Sequence, residues 1–240
     1  MQTYTSASLE IIPVNGIGEI RPGDRLGTLI ASTSSANGCD LRNGDILVVT
    51  QKAVSKAEGR IVRVENEADR HRVIMEQSRR VLRKRGDMII SETHHGFVCA
   101  NAGVDNSNVE HGYVSVLPKN PDASAHRIRE EVFDSCGARV AVVISDTFGR
   151  PWRRGQTNVA IGVAGMKPML DYRGSLDTFG RRLEATEIAI ADELACAAEL
   201  VMGKSAGIPA AIVRGLAGEC IAGNGAAKEL LRPYTEDLFR

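Results

Sequence analysis

The chain has 240 residues, of which 43% are hydrophobic and 25% charged, an ordinary globular composition from which we expect a single domain over residues 1–240. The formal net charge is zero and the aromatic content is 4%, which excludes the basic, base-stacking surface of a nucleic-acid-binding protein and any attraction to an anionic membrane. The chain has no apolar run near the ~20 residues of a membrane span, no secretion signal, and five scattered cysteines without metal or redox spacing, so we expect a cytoplasmic protein with reduced, buried thiols.

Apolar spacing and turn residues predict short strands alternating with helices in the first part of the chain. The predicted strands are 9–14, 46–50 and 113–117, with a β-hairpin formed by 88–90 and 96–100. The predicted helices are 26–30, 65–85 and 124–136, the last ending at Gly137, and residues 32–43 are turn-like.

Two glycine-containing stretches are similar to nucleotide-binding motifs but fail their requirements. Gly16 and Gly18 match the opening of a dinucleotide fingerprint, but Arg21 holds the place of the third glycine. The segment 203–205 matches the end of a P-loop, but Ala198 replaces the required glycine and a predicted helix, not a strand, precedes it. We therefore predict neither a Rossmann nor a P-loop fold, and interpret Gly203 as a helix C-cap.

Polar residues follow two predicted strands in the first part of the chain. Lys52 and Lys56 lie four residues apart just after strand 46–50, where they can hold a polyphosphate, although a solvated face explains them equally well. Residues 101–108 form a loop rich in small oxygen-bearing side chains. Asp105 in this loop suits Mg²⁺, and an Asx-type turn is the alternative.

The most informative stretch, residues 144–157, directly follows a predicted buried strand at 139–144. Ligands of open α/β sheets bind beyond such strand ends. Asp146 and Thr147 provide hard oxygen atoms for Mg²⁺ or Mn²⁺. Arg150 and Arg154, together with Arg153, provide planar donors for phosphate or carboxylate. We predict a functional loop here rather than a merely solvated one.

The remaining residues predict a strand, the longest helix and a second strand, followed by glycine-rich and short helical segments. These elements are 158–165, 181–202, 208–213, 215–225 and 226–231. Acids, lysines and arginines at several strand ends, without a standard nucleotide motif, favour metal-assisted phosphoryl transfer, but their spacing leaves the substrate open.

At these residues the chain resembles the coenzyme F-420-0:γ-glutamyl ligase family over nearly its whole length. The matching segments are 44–45 with 55–59, 101–105 with 107–108, 146–147 with 149–150, 154–155, and 180–181 with 183–186. The resemblance implies a family-specific α+β fold and an enzyme that adds L-glutamate to coenzyme F-420-0 with hydrolysis of GTP, then extends the γ-linked tail. It further implies Mn²⁺ or Mg²⁺, often with K⁺, and a homodimer.

The resemblance also implies roles for individual residues. The metal ligands are Asp105, Asp146 and Thr147. The GTP-contacting positions are Ile17, Gly18, Glu19, Ile20, Gln51, Lys52, Lys56 and Asn108, with Gln51 standing where a smaller hydroxyl residue is usual. In the mechanism that it implies, GTP phosphorylates the coenzyme's carboxylate and the glutamate amine attacks the acyl phosphate. Arg150 or Arg154 holds a carboxylate or the migrating phosphoryl group.

One position departs from the family pattern. Archaeal members place a carboxylate for a second metal after the Met-Gly pair, but this chain has Lys204, which cannot ligate a cation while protonated. We assign Lys204 to the nucleotide site, as a group that can neutralise phosphate. With a lysine at this position the chain resembles bacterial members of the family more closely than archaeal ones. Many bacterial members carry a further flavin-binding reductase domain, which we expect to be absent here. For the protein as a whole, two alternative functions stay open. One is an amide ligase of the same fold that acts on another carboxylate, and the other is a non-catalytic binding subunit.

Overall fold

The computed structural model describes residues 8–216 and 223–238. Its strands are β1 (Glu10–Pro13), β2 (Ile46–Thr50), β3 (Ile61–Arg63), β4 (Ser78–Arg85), β5 (Met88–Thr93), β6 (Val98–Ala100), β7 (Tyr113–Ser115), β8 (Ala141–Arg150), β9 (Arg153–Ala164), β10 (Leu170–Asp171), β11 (Glu187–Ile188) and β12 (Ala210–Arg214). Its α-helices are α1 (Leu26–Ala36), α2 (Gln51–Ala57), α3 (Glu67–Gln77), α4 (Pro121–Cys136) and α5 (Ile190–Met202). Short 3₁₀ helices occupy Asn101–Gly103, Ala227–Leu230 and Tyr234–Glu236.

A five-stranded sheet in the order β1-β12-β2-β8-β9 forms the centre of the molecule. Only the β2–β8 pair in this sheet is parallel; its other neighbouring strands are antiparallel. The residues Ile46–Val49 of β2 are fully buried, as their unbroken apolar, β-branched sequence predicts for a strand covered on both faces. The predicted mixed α+β architecture is confirmed, and nothing in the described residues forms a P-loop or Rossmann unit.

Helices cover both faces of this sheet. Leu47 and Val49 pack in one apolar cluster with residues of α1 and α4, whereas Ile46 and Val48 pack in a second cluster with α5. Alternate residues of one strand therefore face opposite layers. Among the described residues, no helix has the length and apolar character needed to cross a membrane.

Two smaller sheets extend the molecule beside α3. The first has the order β4-β5-β6 and the second pairs β3 with β7. A third apolar cluster joins α3 to these strands through Val73, Ile89 and Val114. The cluster fixes the loop that follows β6, which carries Asp105.

Several predicted elements are confirmed, with shifted ends. They are β1, β2, the β5–β6 hairpin, β7, α4 with Gly137 as its left-handed cap, and β12. The segment predicted as turn-like after residue 32 is wrong at its start, because α1 continues to Ala36. The predicted glycine-rich loop at 215–225 lies partly outside the described residues, and the short terminal helix is the 3₁₀ segment Ala227–Leu230.

The prediction of one helix over residues 65–85 is wrong in its second half. The chain leaves the helical conformation at Ser78, whose side chain bonds to the Ile74 carbonyl and the Ser91 hydroxyl. Residues 78–85 then pair as β4 with β5. Charged residues favour a helix locally, but pairing with the neighbouring strand overrides that preference.

Two further predictions near the site are corrected by the structure. The stretch 144–157 is not a loop, because β8 and β9 continue as a β-hairpin whose turn contains Trp152 at φ 57°. The helix predicted to begin at 181 begins at Ile190 instead. The carboxylate of Asp177 accepts hydrogen bonds from the backbone N–H groups of Phe179 and Arg181, which fixes this segment as a turn.

The expectation of buried thiols holds for only part of the cysteine set. Cys99 is buried, Cys39 and Cys196 are partly buried, and Cys136 is exposed, all as free thiols. Cys220 lies outside the described residues. Burial away from water, together with the nearby negative charge of Asp146, raises the pKa of the Cys99 thiol to about 12. This thiol is therefore an inert core group at neutral pH.

Gly27 allows α1 and α4 to approach closely, which gives a test of the packing. A Cβ atom at Gly27 would lie 2.3 Å from the Ile128 carbonyl oxygen and 2.6 Å from the Glu131 Cβ atom. We expect Gly27→Ala to lower the free energy of unfolding by about 2 kcal/mol, although alanine has the better helix propensity. Urea denaturation followed by circular dichroism measures this change. Gly149→Ala is the matched control, since its Cβ atom meets nothing within 4 Å; equal midpoints for both variants would contradict the packing argument.

Candidate active site

A cleft of about 940 Å³ opens where the parallel pairing of β2 and β8 ends. The last pair in this register is Thr50 with Ser145, after which β2 turns into α2 while β8 continues beside β9. Every residue predicted to bind nucleotide or metal lines this cleft: Ile17, Gly18, Glu19, Ile20, Gln51, Lys52, Lys56, Asn108, Lys204, Asp105, Asp146 and Thr147. The structure thus brings together positions spread over most of the sequence.

Helix α2 directs both predicted lysines into the cleft. Thr50 caps the helix by accepting a hydrogen bond from the Ala53 N–H, so α2 starts immediately at the strand end. Lys52 and Lys56 lie on one face of the helix because they are four residues apart. Their side chains are only 15% and 18% exposed, so they are not part of a solvated face. Lys56 forms an ion pair with Glu19 at 2.5 Å, which links α2 to the segment 17–20.

Asp105 is held in place by its backbone and by its side chain. Its backbone N–H and carbonyl pair with Ser115 at the end of β7. Its carboxylate accepts hydrogen bonds at 2.8 Å from Lys52 Nζ, from the Ser107 hydroxyl and from the Ser107 N–H. Burial acts to raise the pKa of Asp105, but these hydrogen bonds and the charge of Lys52 outweigh it and hold the pKa below its ordinary value.

Asp146 differs from Asp105 because its surroundings favour the protonated acid. Removal of water from its carboxyl group raises the pKa of Asp146 to about 7, assisted by the negative charge of Asp105. The Thr147 N–H, at 2.8 Å from Oδ1, and the ammonium groups of Lys52 and Lys204 oppose this rise without cancelling it. The two acids are therefore close enough to interact but have opposite pKa shifts.

A network of polar side chains surrounds Lys204 on the other side of Thr147. Lys204 Nζ donates to Thr147 Oγ1, to Asn158 Oδ1 at 3.3 Å, and to Glu199 Oε1 at 3.0 Å. The Thr147 hydroxyl donates to Asn158 Oδ1, and Asn158 Nδ2 donates to Glu199 Oε2. Four residues from β8, β9, α5 and the loop after α5 thus form one continuous set of hydrogen bonds.

The predicted catalytic arginines lie elsewhere. Arg150 and Arg154 are at the end of the β8–β9 hairpin and do not line the cleft. Arg150 donates to the backbone carbonyls of Arg154 at 2.8 Å and Gly155 at 3.5 Å, which closes the hairpin turn. In this arrangement the Arg150 side chain has a structural function, and a role for either arginine in catalysis stays a prediction.

Several cleft residues escaped the sequence reasoning. They are Ser107, Ser145, Asn158 and Glu199. Ser107 and Ser145 each lie within two residues of a predicted acid, so a wider window around each acid finds them. Glu199 lies in the last turn of α5, and no local pattern distinguishes it from other helical acids. Only the crossing of α5 over the sheet places it beside Asn158.

The oxygen atoms in the cleft fit a hard divalent cation. The available oxygen atoms are the carboxylates of Asp105 and Asp146 and the Thr147 hydroxyl. Ser145 Oγ is a further one, a buried atom without a hydrogen-bond partner in the described structure. The described ranges contain no group of three or more histidine, cysteine and acidic residues placed so that together they could hold a metal ion. Mg²⁺ does not require such a cluster, because it commonly takes one or two carboxylates and completes its shell with phosphate and water.

Comparison with known proteins identifies the family. A family model described as F420-0:Gamma-glutamyl ligase matches residues 16–215. The chain belongs to the F420-0:gamma-glutamyl ligase family. It is 43% identical to Coenzyme F420:L-glutamate ligase of Methanothermobacter thermautotrophicus, over 97% of this chain and 99% of the relative. It is 42% identical to the enzyme of the same name from Methanocaldococcus jannaschii, over 83% of this chain and 86% of the relative.

A further F420:L-glutamate ligase, from Archaeoglobus fulgidus, is 40% identical over 97% of this chain and 96% of its own length. The predicted resemblance to this ligase family is therefore confirmed over almost the entire chain. All three of these relatives come from archaea. The closer similarity to bacterial members of the F420-0:gamma-glutamyl ligase family, inferred from Lys204, stays a prediction.

The raised pKa of Asp146 predicts a specific dependence of stability on pH in the absence of divalent cations. The folded state holds the proton up to about pH 7, whereas the unfolded chain releases it near 4, so the stabilisation is full below 4 and is lost as pH rises through 7. The slope between these values is about 1.4 kcal/mol per pH unit.

We expect Asp146→Asn, which cannot ionise, to lose this slope and to unfold at a higher temperature than the wild type at pH 8. Differential scanning calorimetry from pH 4 to pH 8 measures the difference. Asp40→Asn, at an exposed carboxylate, is the control that leaves the profile unchanged. Parallel profiles for wild type and Asp146→Asn would show that this carboxyl group has an ordinary pKa.

Proposed function

We propose that this protein is a cytoplasmic, homodimeric enzyme that adds L-glutamate to coenzyme F420-0, extends the γ-linked tail, and uses GTP as the phosphoryl donor. The observation that carries the proposal is the convergence, in one cleft, of two lysines, two carboxylates and the segment 17–20. The names of the relatives support the choice of L-glutamate and F420 as substrates. A ligase of this type requires a nucleotide site and an acid-bound cation in one place, and the cleft offers the side chains for both.

Lys52 and Lys56 are the groups that we propose bind the phosphates of GTP. Both ammonium groups have carboxylate partners in the described structure, Asp105 and Glu19. Entry of the polyphosphate gives each lysine a new anionic partner and frees oxygen atoms of Asp105 for a cation. The side chains of Asn108 and Gln51 complete the proposed contacts, since both residues line the cleft.

The proposed cation is Mn²⁺ or Mg²⁺, with K⁺ as an additional activator. Asp105 and Asp146 would hold it together with Ser145, while the Thr147 hydroxyl, the third predicted ligand, lies on the side of the cleft where it accepts a hydrogen bond from Lys204. When bound, such a cation neutralises negative charge on the phosphates and on the migrating phosphoryl group. The cation also favours the ionised form of Asp146, opposing the burial that raises the pKa of this acid.

The proposed reaction has two steps. A carboxylate oxygen of the coenzyme attacks the γ-phosphorus atom of GTP, forming an acyl phosphate and releasing GDP. The amine nitrogen of L-glutamate then attacks the acyl carbon, an amide bond forms, and phosphate and a proton leave. Within the chain, Lys52 and Lys56 would orient the phosphates, and Asp105 and Asp146 would fix the position of the divalent cation. Arg150 and Arg154, at the hairpin end, are proposed to contact the substrate carboxylates.

The activity is tested directly with purified protein, F420-0, L-glutamate, GTP and Mn²⁺. We expect a coenzyme product heavier by one or more glutamyl units in the mass spectrum, and none when ATP replaces GTP. GTP binding without product would favour a ligase for another carboxylate substrate. Absence of both product and GTP binding would favour a non-catalytic subunit and overturn the proposal.

Two substitutions test the assignment of the cleft residues. We expect Asp146→Asn and Lys52→Met each to lower kcat/KM at least about 100-fold, because Asp146→Asn removes an anionic ligand of the proposed cation and Lys52→Met removes a positive charge beside the phosphates. Steady-state assays of GDP release measure the effect. Asp40→Asn and Lys84→Met, at exposed positions away from the cleft, are matched controls that retain the wild-type rate. Unchanged turnover and cation dependence in Asp146→Asn would refute the metal assignment.

A further inference from the structure

Lys204 has the surroundings of a bound cation rather than those of a surface lysine. Its ammonium group has three donors, and three oxygen acceptors surround it: Thr147 Oγ1, Asn158 Oδ1 and Glu199 Oε1. Glu199 is only 22% exposed and is also fixed by Asn158 Nδ2. A hydroxyl, an amide oxygen and a carboxylate together make a set of oxygen ligands that suits a hard metal ion.

The backbone of Lys204 is fixed to the loop that carries the first acid. Asn108 Nδ2 donates to the Lys204 carbonyl at 3.2 Å. Asn108 has φ 52°, so this loop turns sharply through the left-handed region to make the contact. The ammonium group is therefore held on the Thr147 side of the cleft from both ends of the residue, although 62% of its side chain is exposed.

The charges of the site limit how many divalent cations it can hold. Asp105, Asp146 and Glu199 are opposed by Lys52 and Lys204, which leaves one uncompensated negative charge when all three acids are ionised. One divalent cation overcomes this charge. A second divalent cation next to Thr147 would lie within hydrogen-bonding distance of the ammonium group and would be repelled by it.

We infer that Lys204 is a built-in cation, which occupies the place of a second divalent metal ion beside Thr147, so that each chain takes up a single divalent cation with GTP. The inference rests on the proposed function, since it assumes the cation site at Asp105 and Asp146. It assigns Glu199 and Asn158 as positioning residues for the ammonium group. It also explains why Thr147 Oγ1, a predicted metal ligand, accepts a hydrogen bond from a lysine.

The number of bound Mn²⁺ ions tests the inference. Electron paramagnetic resonance of free Mn²⁺, in titrations with a non-hydrolysable GTP analogue, counts the ions bound by wild type and by Lys204→Glu. This substitution changes the site charge by two units, the charge of one divalent cation, and supplies a carboxylate ligand. We expect roughly one Mn²⁺ per wild-type chain and roughly two per Lys204→Glu chain, with the two ions of the variant within about 4 Å of each other and visible by spin coupling.

Lys84→Glu is the matched control, because it makes the same charge change at an exposed position that does not line the cleft. We expect it to bind the same number of ions as the wild type. Two ions in the wild type, or equal counts in wild type and Lys204→Glu, would overturn the role of Lys204. Equal counts of one would leave the proposed cation site intact, whereas no bound ion in any variant would refute that site as well.

Discussion

The parallel pairing of β2 with β8 is the contact on which the rest of the cleft depends. It joins the buried apolar residues 46–49 and 141–144 in the centre of the sheet and ends at Thr50 and Ser145. Beyond that pair the two strands separate: β2 is followed by α2, and β8 continues into the extended hairpin with β9. A helix that begins with lysines and a strand that continues with an acid and a hydroxyl therefore border the same gap. The cleft is a direct consequence of where one strand stops and its neighbour does not.

Charge is distributed unevenly across this gap. Lys52 neutralises Asp105 directly, whereas Asp146 is desolvated and its negative charge is disfavoured until positive charge arrives. Lys204 is already satisfied by the oxygen atoms on the far side of Thr147. The cleft is thus divided into a part whose charges are internally balanced and a part, around Asp146, where burial opposes the negative charge. Aspartate and lysine side chains occur in both parts of the cleft, and the surroundings of each side chain decide whether its charge is balanced.

The sequence predicts the buried strands well because their apolar, β-branched runs are dictated by burial on both faces. The site acids are also predictable, since Asp105 lies in the loop after a predicted hairpin strand and Asp146 directly follows the apolar run 139–144. The hairpin at 144–157 and the strand β4 are not, because their polar residues pair through the backbone with partners that no local pattern reveals. Glu199 and Asn158 are invisible for a similar reason. Their contact with Lys204 exists only because α5 crosses the sheet at that position, a feature set by packing at long range.

Trp152 is the only tryptophan of the chain, and it stands at the turn of the β8–β9 hairpin with 79% of its surface exposed. Most of its surface is therefore already in contact with water in the folded protein. Tryptophan fluorescence, excited at the red edge of the tryptophan absorption band, is consequently a poor measure of whether the core is intact. The same emission is a selective reporter for one place, the hairpin that carries Arg150 and Arg154. A substrate that reaches these arginines changes the solvation of a single fluorophore, without any label being introduced.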